Sequence, residues 1–91
     1  VTELKGNYPN PFNPQTTISF SLKDNIPVSL EIYNLKGQKV KTLVNESKAP
    51  GHYQIVWKGL DSNNQPVASG VYFFKMNAGK YSSTRKMILM K

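Results

Sequence analysis

The chain has 91 residues, enough for one domain, and at that length folding buries roughly 60–65% of the unfolded surface, which supports a single thin core. It has no cysteine, which excludes disulfides and thiolate chemistry, and no run of about 18 apolar residues that could cross a bilayer as a helix. The net charge is +7, and beyond Asp61 no acid balances Lys75, Lys80, Arg85, Lys86 and Lys91; such charge draws polyanions, yet no RNP-type motif, zinc finger or basic helix accompanies it, which argues against nucleic acid as a partner.

In chain order, Tyr8-Pro9-Asn10-Pro11-Phe12-Asn13-Pro14 comes first. Proline lacks the donor a ladder needs, so residues 1–15 are expected to be an extended Asn/Pro-rich opening segment lying along the domain, with Tyr8 and Phe12 tucked in. Thr2 to Lys5 has room for one strand. Thr16 to Leu22 alternates with period two, with Ile18, Phe20 and Leu22 on one face and Thr17, Ser19 and Ser21 on the other. Val28 to Tyr33 alternates likewise, with Val28, Leu30 and Ile32 inward. Asn34-Leu35-Lys36-Gly37 reads as a turn, and Lys39 to Val44 completes a hairpin with Val40 and Val44 inward.

Asn45 to Gly51 is expected to be a loop. Tyr53, Ile55 and Trp57 make the next inward face, and Lys58 to Pro66 is a second polar loop. Val71 to Met76 is nearly continuously apolar, which suits a central strand covered on both faces. Asn77-Ala78-Gly79-Lys80 turns the chain into a last strand, Tyr81 to Met90, whose second half carries large apolar residues on both faces. About seven short strands with these turn signals predict an all-β fold, a small antiparallel immunoglobulin-like sandwich occupying residues 1–91 as a single domain.

Catalytic and metal chemistry find little support. General acid–base work needs paired carboxylates, or a carboxylate with histidine. Glu3, Asp24, Glu31, Glu46 and Asp61 fall in separate segments, and His52 is the sole histidine. No nucleophile elbow is present. Asp61-Ser62-Asn63-Asn64-Gln65 offers oxygen ligands at alternate positions as a calcium loop does, but Pro66 stands where the turn glycine belongs and Tyr72 where the closing glutamate belongs. No metal or cofactor is therefore assigned. Trp57 with Tyr53, Tyr72 and Tyr81 suggests a sugar-stacking platform, although the phase shared with Ile55 points Trp57 and Tyr53 to the core.

Four collinear stretches carry a resemblance. They are Tyr8–Pro14 with Thr16–Phe20, Leu30–Val40, Pro66–Phe73 with its Gly70-Val71-Tyr72, and the lysine-bounded tail Lys86-Met87-Ile88-Leu89-Met90-Lys91. Together they resemble the C-terminal sorting domain (type A) of the type IX secretion system of Bacteroidetes-like bacteria, a fold similar to the immunoglobulin-like domain of the flagellar hook-capping protein. Lys58 and Asn64 depart from the family pattern, which has an acidic residue and a glycine there. The resemblance implies a non-catalytic tail on a longer precursor. The precursor folds in the periplasm and engages an outer-membrane translocon, and a surface sortase then acts on it. The cargo is released or held at the cell surface.

The resemblance also assigns site residues. Lys86, Met87, Ile88, Leu89, Met90 and Lys91 are the expected translocon readout, by strand addition or by docking of the lysines on an acidic surface. Pro9, Asn10, Pro11, Phe12, Trp57, Gly70 and Tyr72 are expected to be structural, with the Tyr72 hydroxyl pinning a loop. An exposed last strand also leaves room for a weak homodimer. The alternatives are a carbohydrate- or surface-binding module of a secreted hydrolase and a structural spacer.

Overall fold

The structure, a computed structural model, describes all 91 residues. Seven strands run β1 (Glu3–Tyr8), β2 (Thr16–Leu22), β3 (Ile26–Asn34), β4 (Lys39–Lys48), β5 (Gly51–Trp57), β6 (Gly70–Ala78) and β7 (Tyr81–Leu89), with no helix. They form a three-stranded sheet ordered β1-β2-β5 and a four-stranded sheet ordered β4-β3-β6-β7. Every pairing is antiparallel. The chain changes sheet between β2 and β3, between β4 and β5, and between β5 and β6, which gives the expected immunoglobulin-like sandwich.

The period-two faces meet in the middle. Ile18, Phe20 and Leu22 from β2 face Val28, Leu30 and Ile32 from β3 and Tyr72, Phe74 and Met76 from β6, within one cluster of 17 buried residues. Burial of each large side chain contributes about 1.5–3 kcal/mol, so this cluster is the main stabilising term for a chain without crosslinks. Trp57 is 1% exposed and closes one end of the cluster.

Three expectations differ from the structure. The Asn45–Gly51 loop is shorter, because β4 continues to Lys48 through Ser29↔Asn45, Pro27↔Ser47 and Ile26↔Lys48; Asn45-Glu46-Ser47-Lys48 is polar throughout, so no apolar alternation marks it as strand. β6 is covered on one face only: Tyr72, Phe74, Met76 and Ala78 are buried, whereas Val71, Phe73 and Lys75 are half-buried. Within residues 1–15, Glu3–Tyr8 is a full strand paired with β2, shifted in register between Leu4 and Gly6. Beyond that shift Tyr8 points out of the sandwich and is 82% exposed, while Phe12 is 2% exposed.

Candidate site: the closed end of the sandwich

The opening segment and the tail meet in space. After β1 the chain crosses to the four-stranded sheet and lies beside the end of β7. The Phe12 N–H donates to the Ile88 carbonyl at 3.0 Å, and the Met90 N–H donates to the Phe12 carbonyl at 2.9 Å. The Ile88 N–H donates to Asn10 Oδ1 at 3.1 Å. Phe12 thus forms a one-residue parallel bridge with Leu89. A short polar side chain supplies the acceptor that a continuing strand would have supplied. The prolines at 9, 11 and 14 flank this bridge, where their missing donors are not needed.

Aromatic packing ties this contact to the core. The Phe12 ring lies 5.7 Å from Trp57, and Trp57 lies edge-on to Tyr72 at 5.4 Å. The Trp57 indole N–H donates to the Leu60 carbonyl at 2.9 Å. The Tyr72 hydroxyl donates to the Ala68 carbonyl at 2.6 Å, the arrangement of a tyrosine corner at the start of the sixth strand. Burial pushes the Tyr72 phenol above its ordinary value. Gly70 has φ +152° with open space around its missing Cβ, so backbone conformation rather than crowding demands glycine there. The tail is anchored beyond β7 too: the Lys91 N–H donates to Ser69 Oγ at 3.0 Å, and Lys91 Nζ donates to the Val67 carbonyl.

A scan against protein families matches residues 7–90 to the secretion system C-terminal sorting domain. The chain belongs to that family. It is therefore a sorting signal of type IX secretion, and the destination is the cell surface or the medium. No curated protein matches the sequence. Two solved structures from Porphyromonas gingivalis share the fold. One is the crystal structure of dimeric latent PorU, with 19% identity, TM-score 0.76, 99% of this chain covered and 9% of that one. The other is PorZ, an essential surface component of its type-IX secretion system, with 20% identity, TM-score 0.64, 99% of this chain and 11% of that one. The sorting domain thus spans about a tenth of either protein's length.

The structure divides the six tail residues of the sorting domain into two sets. Met87 and Leu89 are 0% and 1% exposed and lie in the core, so they are out of a partner's reach while the domain is folded. Lys86, Met90 and Lys91 are exposed and Ile88 is half-buried. Strand addition onto the end of β7 is obstructed, because Asn10 and Phe12 already hold the outward groups of Ile88 and Met90. Alternation leaves the outward N–H and C=O groups of Lys86, Thr84 and Ser82 as the open part of that edge.

The remaining candidates are also placed. Asp61 Oδ1 accepts from the Asn63 and Gln65 N–H groups at 2.9 Å each, so this carboxylate organises its own turn. Asn64, at the family's glycine position, takes φ +61°, which asparagine tolerates. No three His, Asp or Glu side chains cluster. Trp57, buried between Phe12 and Tyr72, offers no sugar platform. Sequence reasoning missed Gly59: its φ is +74°, and a Cβ there would stand 2.9 Å from the Pro14 carbonyl oxygen, so glycine lets the opening segment close down. A glycine two residues after an inward tryptophan was the available signal.

Proposed function

We propose that residues 1–91 act as one non-catalytic sorting domain that an outer-membrane translocon recognises in its folded state, with the tail presented on a rigid support. The supporting observation is the clamp of Asn10 and Phe12 on Ile88 and Met90. It unites the two ends of the family pattern, 78 positions apart in the Asn10–Ile88 bond, in one surface. The upstream cargo is then carried out by virtue of this domain, and a surface sortase acts on the exported precursor. Scattered acids and a lone His52 support the absence of catalysis in the domain itself.

The test is an export assay. Residues 1–91 are fused to the C-terminus of a periplasm-directed fluorescent protein in a host with an intact type IX system. Partner fusions lack Lys86–Lys91 or carry Asn10→Ala. Deletion removes Met87 and Leu89 from the core, so it is expected to abolish export through unfolding. Asn10→Ala removes one hydrogen bond, worth about 1 kcal/mol, and is expected to leave the fold intact while lowering export. Periplasmic retention of the folded, intact fusion would overturn the proposal.

A further inference from the structure

An antiparallel sheet packed on one side normally turns polar residues to water on the other. The four-stranded sheet does so at one end, where Ser29, Glu31, Lys75, Asn77, Ser82 and Thr84 turn outward, but not at the other. On its outer face Tyr33 pairs with Phe73 across β3 and β6, and Val71 pairs with Ile88 across β6 and β7. These four are half-buried, yet none belongs to the core or packs against it. Leu35, at the β3–β4 turn beside them, is 72% exposed. A shallow depression of about 330 Å³ opens among Tyr33, Leu35, Phe73 and Lys75. Apolar surface kept in water without serving the core marks a contact surface.

The rim is basic. Lys75 stands opposite Glu31 and Lys86 opposite Phe73, with Lys36 in the adjoining turn. The single carboxylate of the face, Glu31, is already engaged, by Lys39 at 2.9 Å and by the Tyr33 hydroxyl at 2.7 Å. Lys36, Lys75 and Lys86 form no salt bridge within the domain.

We propose that this face docks the domain onto a protein surface with an apolar centre and an acidic rim, an inference that rests on the sorting reading and names the surface that reading uses. Charge selects the occupant. A second copy would bring lysine rim against lysine rim, since a two-fold contact opposes identical patches. A membrane calls for a band of apolar side chains that reach into the acyl boundary, and on this face only Leu35 and Met90, one in the β3–β4 turn and the other beyond β7, stand clear while Phe73 and Tyr33 lie against the sheet. The face includes Lys86, Ile88 and Met90, the members of the tail that alternate with the buried Met87 and Leu89.

The experiment uses the fluorescent fusion with three substitution sets. Phe73→Ser with Ile88→Ser removes the apolar centre, and Lys36→Glu with Lys86→Glu reverses the rim at two exposed positions. Val56→Ser, on the outer face of the other sheet, is the matched control. Thermal melting confirms that each is folded, and the charge pair decides the matter if the apolar pair unfolds. The first two sets are expected to lower extracellular fluorescence at least about ten-fold, the scale of losing one interface anchor, with the control unchanged. Wild-type export by both sets would overturn the docking face while leaving the sorting reading intact. Failure of the unsubstituted fusion to leave the cell would instead overturn the sorting reading, and the inference with it. Flotation with phosphatidylglycerol vesicles, lost in the same variants, would reassign the face to lipid. A dimer in sedimentation that the same variants dissolve would reassign it to a second copy. Either result overturns the inference.

Discussion

The two outer faces of the sandwich share one backbone geometry and differ in chemistry. The three-stranded sheet turns Thr17, Ser19, Gln54 and His52 outward, with Val56 its one aliphatic and Tyr8 its one aromatic residue there. The four-stranded sheet turns out Ser29, Asn77, Ser82 and Thr84 at one end but Tyr33, Val71, Phe73 and Ile88 together at the other. Both sheets pack onto the same core, so stability needs apolar residues only on their inner faces. What differs is that the four-stranded face gathers its apolar residues into one paired cluster whereas Tyr8 and Val56 stand singly on the other, and a cluster of that kind reflects what the face meets.

The sharpest way to break that comparison is a pair of neighbours of one residue type. Phe74 is 0% exposed, whereas Phe73 lies on the outer face. Phe74→Ala is expected to cost about 3–5 kcal/mol, which leaves little of a domain this size folded. Phe73→Ala is expected to cost less than about 1 kcal/mol. Urea melts of both variants check this, and equal costs would mean that the outer face is structural.

Next in size is Gly59→Ala, which forces an L side chain into a left-handed conformation 2.9 Å from the Pro14 carbonyl. A loss of about 1–3 kcal/mol is expected, with faster hydrogen exchange at Phe12 and Met90 as the Asn10–Phe12 clamp loosens. Tyr72→Phe removes the bond to Ala68 and is expected to cost about 1 kcal/mol in the same melts without altering the core.

The smallest effect comes from Glu31. The hydrogen bond from Lys39, then that from Tyr33, holds its carboxyl below the ordinary 4.5. A depressed folded-state value means stability that is complete above 4.5 and lost as pH falls through the folded value. The group is on the surface and solvent screens it. A Tm decrease on the order of 1–3 °C is expected on acidification below pH 4.5, beyond any seen in Glu31→Gln.

The inner faces were legible in the sequence because a period of two leaves no choice: Ile18, Phe20, Val28, Leu30 and Ile32 can share a core only as they do. The family pattern named the two ends. It did not show that they touch, because the Phe12–Ile88 and Asn10–Ile88 contacts run through backbone groups and one amide oxygen, which leave no trace in hydropathy. The exposure of Tyr8 follows from a register shift near Gly6, which breaks the alternation that pattern reading depends on, and the length of β4 was hidden because Asn45-Glu46-Ser47-Lys48 carries no apolar residue to alternate. Phe73 read as core because neighbouring apolar residues suggest burial on both sides; only the sheet order shows that nothing covers the second side.

The most direct test of the sorting role is the distribution of the unsubstituted fusion in two isogenic hosts, one with a type IX system and one without its translocon. Fluorescence at the surface or in the medium of the first host only is the expected result. Equal periplasmic retention in both, with the domain folded, would contradict it.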